Sequence, residues 1–167
     1  MRNESHWKDS NALVTGGASF IGSHLVDALV SRGVNVTVLD DLSSGKLDNL
    51  SQSLHKVKFV THNLEYNAKD VLKAIFKEQD YVFHMAAIHG GRGYIDTHPA
   101  DVCSNLALEH HVFQACSDSN VDKVIFASTA CVYPTKLQDE IGSDYKLKEN
   151  DSDTSSLEVK LSADMEY

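Results

Sequence analysis

The sequence predicts an α/β fold built on a doubly wound parallel sheet. Short runs rich in Val, Ile, Leu and Phe alternate five times with segments of helical periodicity. The apolar runs are nearly continuous, which is typical of parallel strands covered by helices on both faces. A length of 167 residues corresponds to about one domain. In such a fold, ligands bind beyond the carboxyl ends of the strands.

The first half of the chain contains three predicted strands. NALVTG is the first, and a helix is expected from Phe20 to Arg32, closed by Gly33 as its C′ residue. The apolar positions at helical spacing in it are Ile21, Leu25, Ala28 and Leu29. VNVTVLD is the second strand, and the turn-rich segment DLSSGKLDNLSQSL after it has room for one short helical turn. KVKFVTHN is the third strand.

The second half continues the alternation. EYNAKDVLKAIFKEQ reads as a helix. Its expected inward-facing residues are Val71, Leu72, Ile75 and Phe76. DYVFHMAA is the fourth strand, and the segment IHGGRGYIDTHP after it is predicted to be a glycine-rich loop. A helix from about Ala100 to Ser119 leads to a fifth strand, DKVIFAST.

Composition excludes several classes of protein. The net charge is −9 and no dense basic cluster occurs, so we expect no nucleic-acid partner. No apolar run is long enough to span a bilayer and the first residues lack a secretory signal, which favours a cytoplasmic location without a membrane partner. Three cysteines without CxxC spacing predict neither a disulfide framework nor a zinc site, and the histidines show no metal-ligand spacing.

Closely spaced glycines mark the junction of the first strand and the first helix. The N-terminus of a helix offers unpaired N–H groups and a partial positive charge, which suit a diphosphate. Gly16 is placed to make the sharp turn and Gly22 to let helix and strand pack closely. Asp40 ends the second strand, where a carboxylate accepts the ribose hydroxyls of an adenosine. A carboxylate repels a 2′-phosphate and no Arg follows it, so NAD is favoured over NADP.

Four stretches in order, TGGASFIGSHL, VLDDLSSGK, VFHMAA and VIFASTACVYP, resemble the extended short-chain dehydrogenase/reductase family. That family contains the NAD-dependent nucleotide-sugar epimerases and dehydratases. The resemblance covers about residues 11 to 134 and implies a Rossmann-type fold with NAD as cofactor. Together with the glycine motif it implies these cofactor-binding residues: Gly16, Ser19, Phe20, Ile21, Gly22, Asp40, Ser43, Asn63, Leu64, Ala86, Ala87 and Asn105.

Two of these positions depart from the family pattern. Ser19 stands where the family usually has the middle glycine of TGxxGxxG, and we expect it to be tolerated with a negative φ, its hydroxyl being able to donate to a phosphate oxygen. Asn63 stands where an acidic residue is common. Its amide oxygen can still accept a hydrogen bond from the adenine amino group, with Leu64 adding apolar contact.

The same resemblance implies the catalytic residues. Thr129 matches the catalytic hydroxyl position, and Tyr167 is proposed as the Tyr of the Tyr-x-x-x-Lys pair. A dehydratase is disfavoured because Ala130 and Cys131 replace the Asp-Glu pair of the dehydratases. The motifs are most similar to those of the GDP-mannose 3,5-epimerases, which assigns an acid/base role to Cys131, although a small apolar residue at a strand end remains an equal alternative. The matching substrate loop contains Gly90, Gly91 and Gly93.

These assignments divide the chain into an N-terminal tail (1–10), an NAD-binding domain (11–131), an acidic loop (132–157) and the start of a truncated helix (158–167). We therefore expect an N-terminal fragment that lacks the C-terminal part and the substrate domain and is inactive alone. The expected parent is a homodimeric NAD-dependent epimerase of a GDP- or UDP-linked sugar. The alternatives are a 4-epimerase or dehydratase of the same family, a non-catalytic NAD-sensing module, or a structural subunit.

Overall fold

The computed structural model describes residues 7–90 and 92–128, together with residues 133, 146, 148 and 151. Its strands are β1 (Asn11–Thr15), β2 (Asn35–Asp40), β3 (Lys58–Thr61), β4 (Tyr81–His84) and β5 (Lys123–Phe126). They form one sheet in the order β3-β2-β1-β4-β5, and every neighbouring pair is parallel. The five predicted strands are therefore confirmed.

The carboxyl ends of the central strands lie level with one another. Thr15, the last residue of β1, is in register with Leu39 of β2 and with His84 of β4. Asp40 follows directly at the end of β2. The side chains and loops that leave these three strands therefore share one edge of the sheet, where a doubly wound fold places its ligand.

Four helices occur in the described part of the chain. They are α1 (Phe20–Ser31), α2 (Lys69–Phe76), α3 (Arg92–Thr97) and α4 (Pro99–Asp118). Two short 3-10 turns, Leu47–Leu50 and Leu54–Lys56, lie between β2 and β3. Within this same part of the chain, no helix combines the length and the apolar character needed to cross a membrane.

Helix α1 ends at Ser31, one residue before the predicted end at Arg32, and Gly33 is its C′ residue as predicted. Gly33 has a φ of +76°, a conformation that glycine adopts without steric cost. Its N–H donates to the carbonyl oxygen of Val30 (3.1 Å), and the N–H of Val34 donates to that of Leu29 (3.2 Å). These two bonds are the Schellman pattern, which satisfies carbonyl groups that the helix itself leaves unpaired.

Alternate residues of the strands build two cores, one on each face of the sheet. The core under α1 contains Val14, Val38, Phe83, Val26 and Leu29. The core on the other face contains Leu13, Leu39, Val82, Leu72, Phe76, Leu108 and Val112, the last two from α4. Each fully buried side chain of this size contributes roughly 1.5–3 kcal/mol. Helices on both faces make the sheet doubly wound, as predicted.

The chain forms two compact units. One comprises Met1–Ala87 and Ala107–Ala127, and the other comprises Ile88–Leu106 and Ser128–Tyr167. The complete sheet, α1 and α2 belong to the first unit. Helix α3 belongs to the second.

One detail of the predicted helices is wrong. Val71 is 48% exposed while Leu72 and Phe76 are buried, because adjacent residues on a helix point about 100° apart and only one side of α2 faces the sheet.

The predicted loop after β4 contains α3. Gly90, Gly91 and Pro99 suggested a loop, but no glycine or proline interrupts residues 94–98. The N–H of His98 donates to the carbonyl oxygen of Tyr94 (2.8 Å). Pro99 starts α4, where its missing N–H costs nothing.

Candidate functional site

The turn between β1 and α1 depends on two glycines. Gly16 has a φ of +65°, and a Cβ there would lie 2.8 Å from the backbone nitrogen of Ala86. A Cβ on Gly22 would lie 2.2 Å from the carbonyl oxygen of Gly16. Both values are shorter than the contacts that real Cβ atoms make, so the turn and the first helical turn pack backbone against backbone, and larger residues are excluded from both positions.

Ser19 caps the N-terminus of α1 with a φ of −75°, so no backbone strain arises from a side chain at this position. Its hydroxyl donates to the carbonyl oxygen of Gly16 (2.6 Å) and accepts from the N–H of Gly22 (3.2 Å). The hydroxyl proton is therefore committed within the turn. The expected donation to a phosphate would require this hydroxyl to rotate.

The backbone of Phe20 and Ile21 offers two donors at the N-terminus of α1. Within the described residues, neither N–H has a hydrogen-bond acceptor, and the two side chains are 76% and 65% exposed. No acidic residue lies in this first turn to offset the positive end of the helix dipole. Two free N–H groups in a positive field form a site suited to an anion such as a phosphate.

Asp40 lies beside this turn and is 7% exposed. One carboxylate oxygen accepts from the N–H of Ala18 (2.9 Å), and the other accepts from the N–H of Leu42 (2.8 Å). A carboxylate has about four lone-pair sites, so each oxygen can accept one further donor. Asp40 thus joins the end of β2 to the glycine turn and retains acceptor capacity for a pair of hydroxyl groups.

The segment after β2 contains residues that the sequence analysis missed. A Cβ on Gly45 would lie 2.9 Å from a carboxylate oxygen of Asp40 and 3.0 Å from Ala18. Asn49 donates from its side-chain amide to the carbonyl oxygen of Ala18 (2.8 Å). Ser43 is exposed, and its N–H donates to the carboxylate of Asp41 (2.9 Å). The glycine five residues after Asp40 was the one signal in the sequence for this packing.

At the end of β3, Asn63 and Leu64 point to different environments. The side-chain oxygen of Asn63 accepts from the N–H of Glu65 (2.8 Å), and its amide nitrogen donates to the Glu65 carboxylate (3.1 Å). One lone pair of that oxygen remains for a ligand donor. Leu64 is 4% exposed and packs in the core with Leu13 and Leu39, so little of its surface is available to a ligand.

The edge near β4 is organised by Thr15 and His84, whose pairing the sequence analysis also missed. The Thr15 hydroxyl oxygen accepts from the N–H groups of Met85 and Ala86 (both 3.2 Å) and lies 2.7 Å from Nδ1 of His84. With both lone pairs used, the hydroxyl proton must point to Nδ1, which fixes the proton of the neutral imidazole on Nε2. Burial lowers the pKa of His84 to about 4.

Ala86 and Ala87 follow this network as small residues at the same edge. The close approach of Gly16 to the backbone of Ala86 shows that the β1 and β4 loops touch without intervening side chains. The described part of this edge therefore presents small apolar residues, in contrast to the carboxylate at the end of β2.

The second unit contains Asn105 and part of the glycine-rich segment. Asn105 is 1% exposed and makes two bonds to Ile88, accepting from its N–H (2.7 Å) and donating to its carbonyl oxygen (2.8 Å). These bonds hold the backbone of Ile88 and use both ends of the amide. A Cβ on Gly90 would lie 2.7 Å from Tyr94, whereas one on Gly93 would meet none of the described residues within 4 Å.

Tyr94 is the tyrosine nearest to these glycines in sequence. Its hydroxyl donates to the carboxylate of Asp101 (3.2 Å). Desolvation, followed by this bond and the charge of Asp101, raises the pKa of the Tyr94 phenol. A general base needs the opposite shift, so Tyr94 is not suited to that role.

Four predicted site residues lie outside the residues that the structure describes. They are Gly91, Thr129, Cys131 and Tyr167. All three predicted catalytic residues are in this group, so the described site comprises the cofactor-binding part of the prediction.

Comparison with known proteins matches residues 12–156 to the NAD dependent epimerase/dehydratase family. The chain is 37% identical over 126 residues to UDP-glucose 4-epimerase of Mycolicibacterium smegmatis, covering 74% of this chain and 40% of that protein. It is 27% identical over 155 residues to GDP-mannose 3,5-epimerase 1 of Oryza sativa subsp. indica, covering 91% of this chain and 39% of that protein.

A solved structure with a similar fold is that of the UDP-glucose 4-epimerase of Thermus thermophilus in complex with NAD. It superposes with a TM-score of 0.69 at 32% identity, covering 85% of this chain and 43% of that one. The chain thus spans about two fifths of the length of the curated relatives that it matches.

Proposed function

We propose, because this chain belongs to the NAD dependent epimerase/dehydratase family, that it forms the NAD-binding part of a nucleotide-sugar epimerase. The observation that carries the proposal is that two N–H groups at the start of α1, which have no acceptor within the described residues, follow directly on Ala18, whose N–H donates to the Asp40 carboxylate. The two N–H groups suit the pyrophosphate, and the carboxylate suits the ribose hydroxyls of an adenosine.

The described residues fit this ligand. The glycine turn leaves the N–H groups of Phe20 and Ile21 accessible, and Asp40 keeps free lone pairs while held by Ala18 and Leu42. A carboxylate at this position favours a ribose with two free hydroxyls over a 2′-phosphate, because two anions would be brought together. NAD is therefore the expected dinucleotide.

The chemistry of the site extends to residues outside the described part. When bound, the nicotinamide supplies a reversible acceptor for the hydrogen of a sugar carbinol. The resemblance to the family assigns removal of the hydroxyl proton to Tyr167, with Thr129 as its hydroxyl partner. Cys131 is proposed to remove and return a proton at the carbon beside the transient keto group, since oxidation of the neighbouring carbinol acidifies that C–H.

The proposed substrate is a nucleoside diphosphate sugar whose nucleobase is guanine or uracil. The role given to Cys131 favours inversion beside a ketone, as in a 3,5-epimerase. A 4-epimerase of a UDP-sugar is the second candidate, favoured by the identity to the UDP-glucose 4-epimerase named above. Thr129, Cys131 and Tyr167, the homodimeric parent and the cytoplasmic location stay predictions from the sequence.

Binding of NAD to the chain tests the first part of the proposal. Asp40→Asn keeps the size of the side chain but removes its charge and one acceptor oxygen, so we expect the Kd for NAD, measured by calorimetry, to rise about 10- to 100-fold. Asp41→Asn is the matched control. It makes the same chemical change at the adjacent residue, whose side-chain oxygen can still accept from the N–H of Ser43. Equal affinity of both variants for NAD would contradict the assignment of Asp40.

Incorporation of solvent deuterium into the sugar, catalysed by the whole protein, tests the reaction. GDP-mannose and UDP-glucose are incubated with it in D2O and followed by NMR. Inversion through proton removal by Cys131 places deuterium on the inverted carbon. Inversion that returns the same hydrogen to the sugar incorporates none, which would identify the 4-epimerase and leave Cys131 without a catalytic role. Conversion of neither sugar class would contradict the proposed activity.

A further inference from the structure

The peptide group between Ala18 and Ser19 is held from both of its ends. Its N–H, that of Ser19, donates to the carbonyl oxygen of Gly16 (3.1 Å). Its carbonyl oxygen, that of Ala18, accepts from the N–H of Lys46 (3.0 Å) and from the side-chain amide of Asn49 (2.8 Å). Ala18 itself is fully buried. A peptide group restrained on both sides cannot rotate without breaking these bonds.

Asn49 makes its bond from a well-anchored position. It lies in the 3-10 turn Leu47–Leu50, and its own N–H donates to the carbonyl oxygen of Lys46 (3.0 Å). Leu50, the next residue, is fully buried in the core under α1. Further along, Ser53 donates to the carboxylate of Asp27 on α1. The turn that carries Asn49 is therefore fastened to the same helix whose N-terminus it approaches.

The held peptide lies directly before the proposed phosphate site. Ser19 begins at this peptide, and the free N–H groups of Phe20 and Ile21 follow it. On its other side, the N–H of Ala18 donates to Asp40 (2.9 Å). Rotation of this peptide would therefore redirect the N–H groups and loosen the carboxylate together.

We propose that Asn49 is a positioning residue for dinucleotide binding, holding the Ala18 carbonyl so that the phosphate donors and Asp40 keep their mutual geometry. The inference rests on the proposed function, since it names a residue that prepares the same site. Asn49 itself acts through Ala18. A primary amide is suited to this role because it donates to a carbonyl oxygen, whereas a carboxylate of the same shape would repel it.

The exposure of Asn49 makes this role separable from folding. Asn49 is an exposed residue although its bond to Ala18 is partly buried, so its replacement leaves the core intact. Asn49→Asp converts the donor into an acceptor of the same size. Asn35→Asp is the matched control: Asn35 is also exposed and donates from its amide to Asn11 (3.2 Å), at the opposite, amino end of the strands.

The test measures calorimetric Kd values of the 167-residue chain for NAD, ADP and adenosine, together with thermal midpoints. We expect Asn49→Asp to raise the Kd for NAD and ADP about tenfold and that for adenosine less, since adenosine lacks the phosphates. Asn35→Asp is expected to change all three less than about twofold. A structural role alone would lower the midpoint without changing the ratio of the ADP and adenosine values.

Asn49→Asp with unchanged affinity for ADP, beside a wild-type chain that binds it, would overturn the positioning role and leave the proposed function intact. An equal rise for adenosine and ADP would also overturn it, since the phosphates would then not be involved. A wild-type chain that binds neither NAD nor ADP would overturn both.

Discussion

On each of the two sides of the carboxyl end of β1, one side chain holds two backbone N–H groups, and the two side chains differ in their chemistry. On the β2 side, Asp40 gathers the N–H groups of Ala18 and Leu42. On the β4 side, the Thr15 hydroxyl gathers the N–H groups of Met85 and Ala86. Each side uses one side chain to hold two backbone donors where parallel strands end.

The difference lies in what remains after those bonds are made. Asp40 is an anion with unused lone pairs and a little exposed surface, so it can also serve a ligand. Thr15 is fully buried, has both lone pairs occupied, and donates its proton to His84. We call the β2 side the open side because Asp40 retains acceptor capacity, and the β4 side the closed side because the Thr15 hydroxyl has no bonding capacity left.

Removing the Thr15 hydroxyl would break the hydrogen bonds of the closed side, and this is the largest effect that we predict on stability. Thr15→Val keeps the shape but leaves the Ala86 N–H and Nδ1 of His84 without partners, and Met85 retains only the Thr15 carbonyl oxygen. At roughly 1–3 kcal/mol for each unpaired group, we expect unfolding free energy to fall by about 4 kcal/mol in urea titrations.

Thr15→Ser is the control for that variant. It keeps the hydroxyl and removes one methyl group, at a cost of about 1 kcal/mol. If serine and valine destabilise equally, the hydroxyl network does not hold the end of β4, and the contrast between the two sides is lost.

The pH dependence of stability sharpens the contrast through His84. Burial lowers its pKa from 6.5 to about 4 in the folded chain. Below pH 6.5 the unfolded chain binds a proton at His84 that the folded chain does not bind. The contribution of neutral His84 to the stability of the folded chain is therefore fully present above that value. It declines as the pH falls to about 4, by about 3 kcal/mol in all, and is constant below.

His84→Asn removes this titration while its amide oxygen can still accept the Thr15 proton. Urea titrations of both proteins from about pH 7.5 to about pH 4.5 measure the effect. The difference in unfolding free energy between wild type and variant should shrink steadily as the pH falls. Parallel pH profiles would show that His84 is not held neutral by burial.

Sequence reasoning succeeded where the information is local. The end of α1 was predicted within one residue because Gly33 and the apolar spacing lie side by side in the chain, and the glycine turn could be recognised because strand, glycines and helix are contiguous. The bonds from Thr15 to His84 and from Asn49 to Ala18 join residues 69 and 31 positions apart. The sequence assigned no role to His84 beyond the absence of metal-ligand spacing among the histidines, since nothing in its neighbourhood indicates that Thr15 will meet it.

The smallest predicted effect lies on the binding side and concerns shape rather than a lost group. Gly45→Ala would place a methyl group 2.9 Å from an Asp40 carboxylate oxygen and 3.0 Å from Ala18. We expect the carboxylate to shift by a fraction of an ångström, the Kd for NAD to rise about fivefold and stability to fall by about 1 kcal/mol.

Gly33→Ala separates this loss of affinity from a loss of stability. Gly33 has a φ of +76°, and among the described residues only Lys8 comes within 4 Å of an added Cβ, so alanine there also costs about 1 kcal/mol through backbone strain. It lies at the far end of α1, and the affinity of this variant for NAD should equal that of the wild type. Equal Kd values in the two alanine variants would mean that the position of Asp40 does not govern binding. A difference would show that the affinity for NAD depends on the placement of Asp40 and not on overall stability.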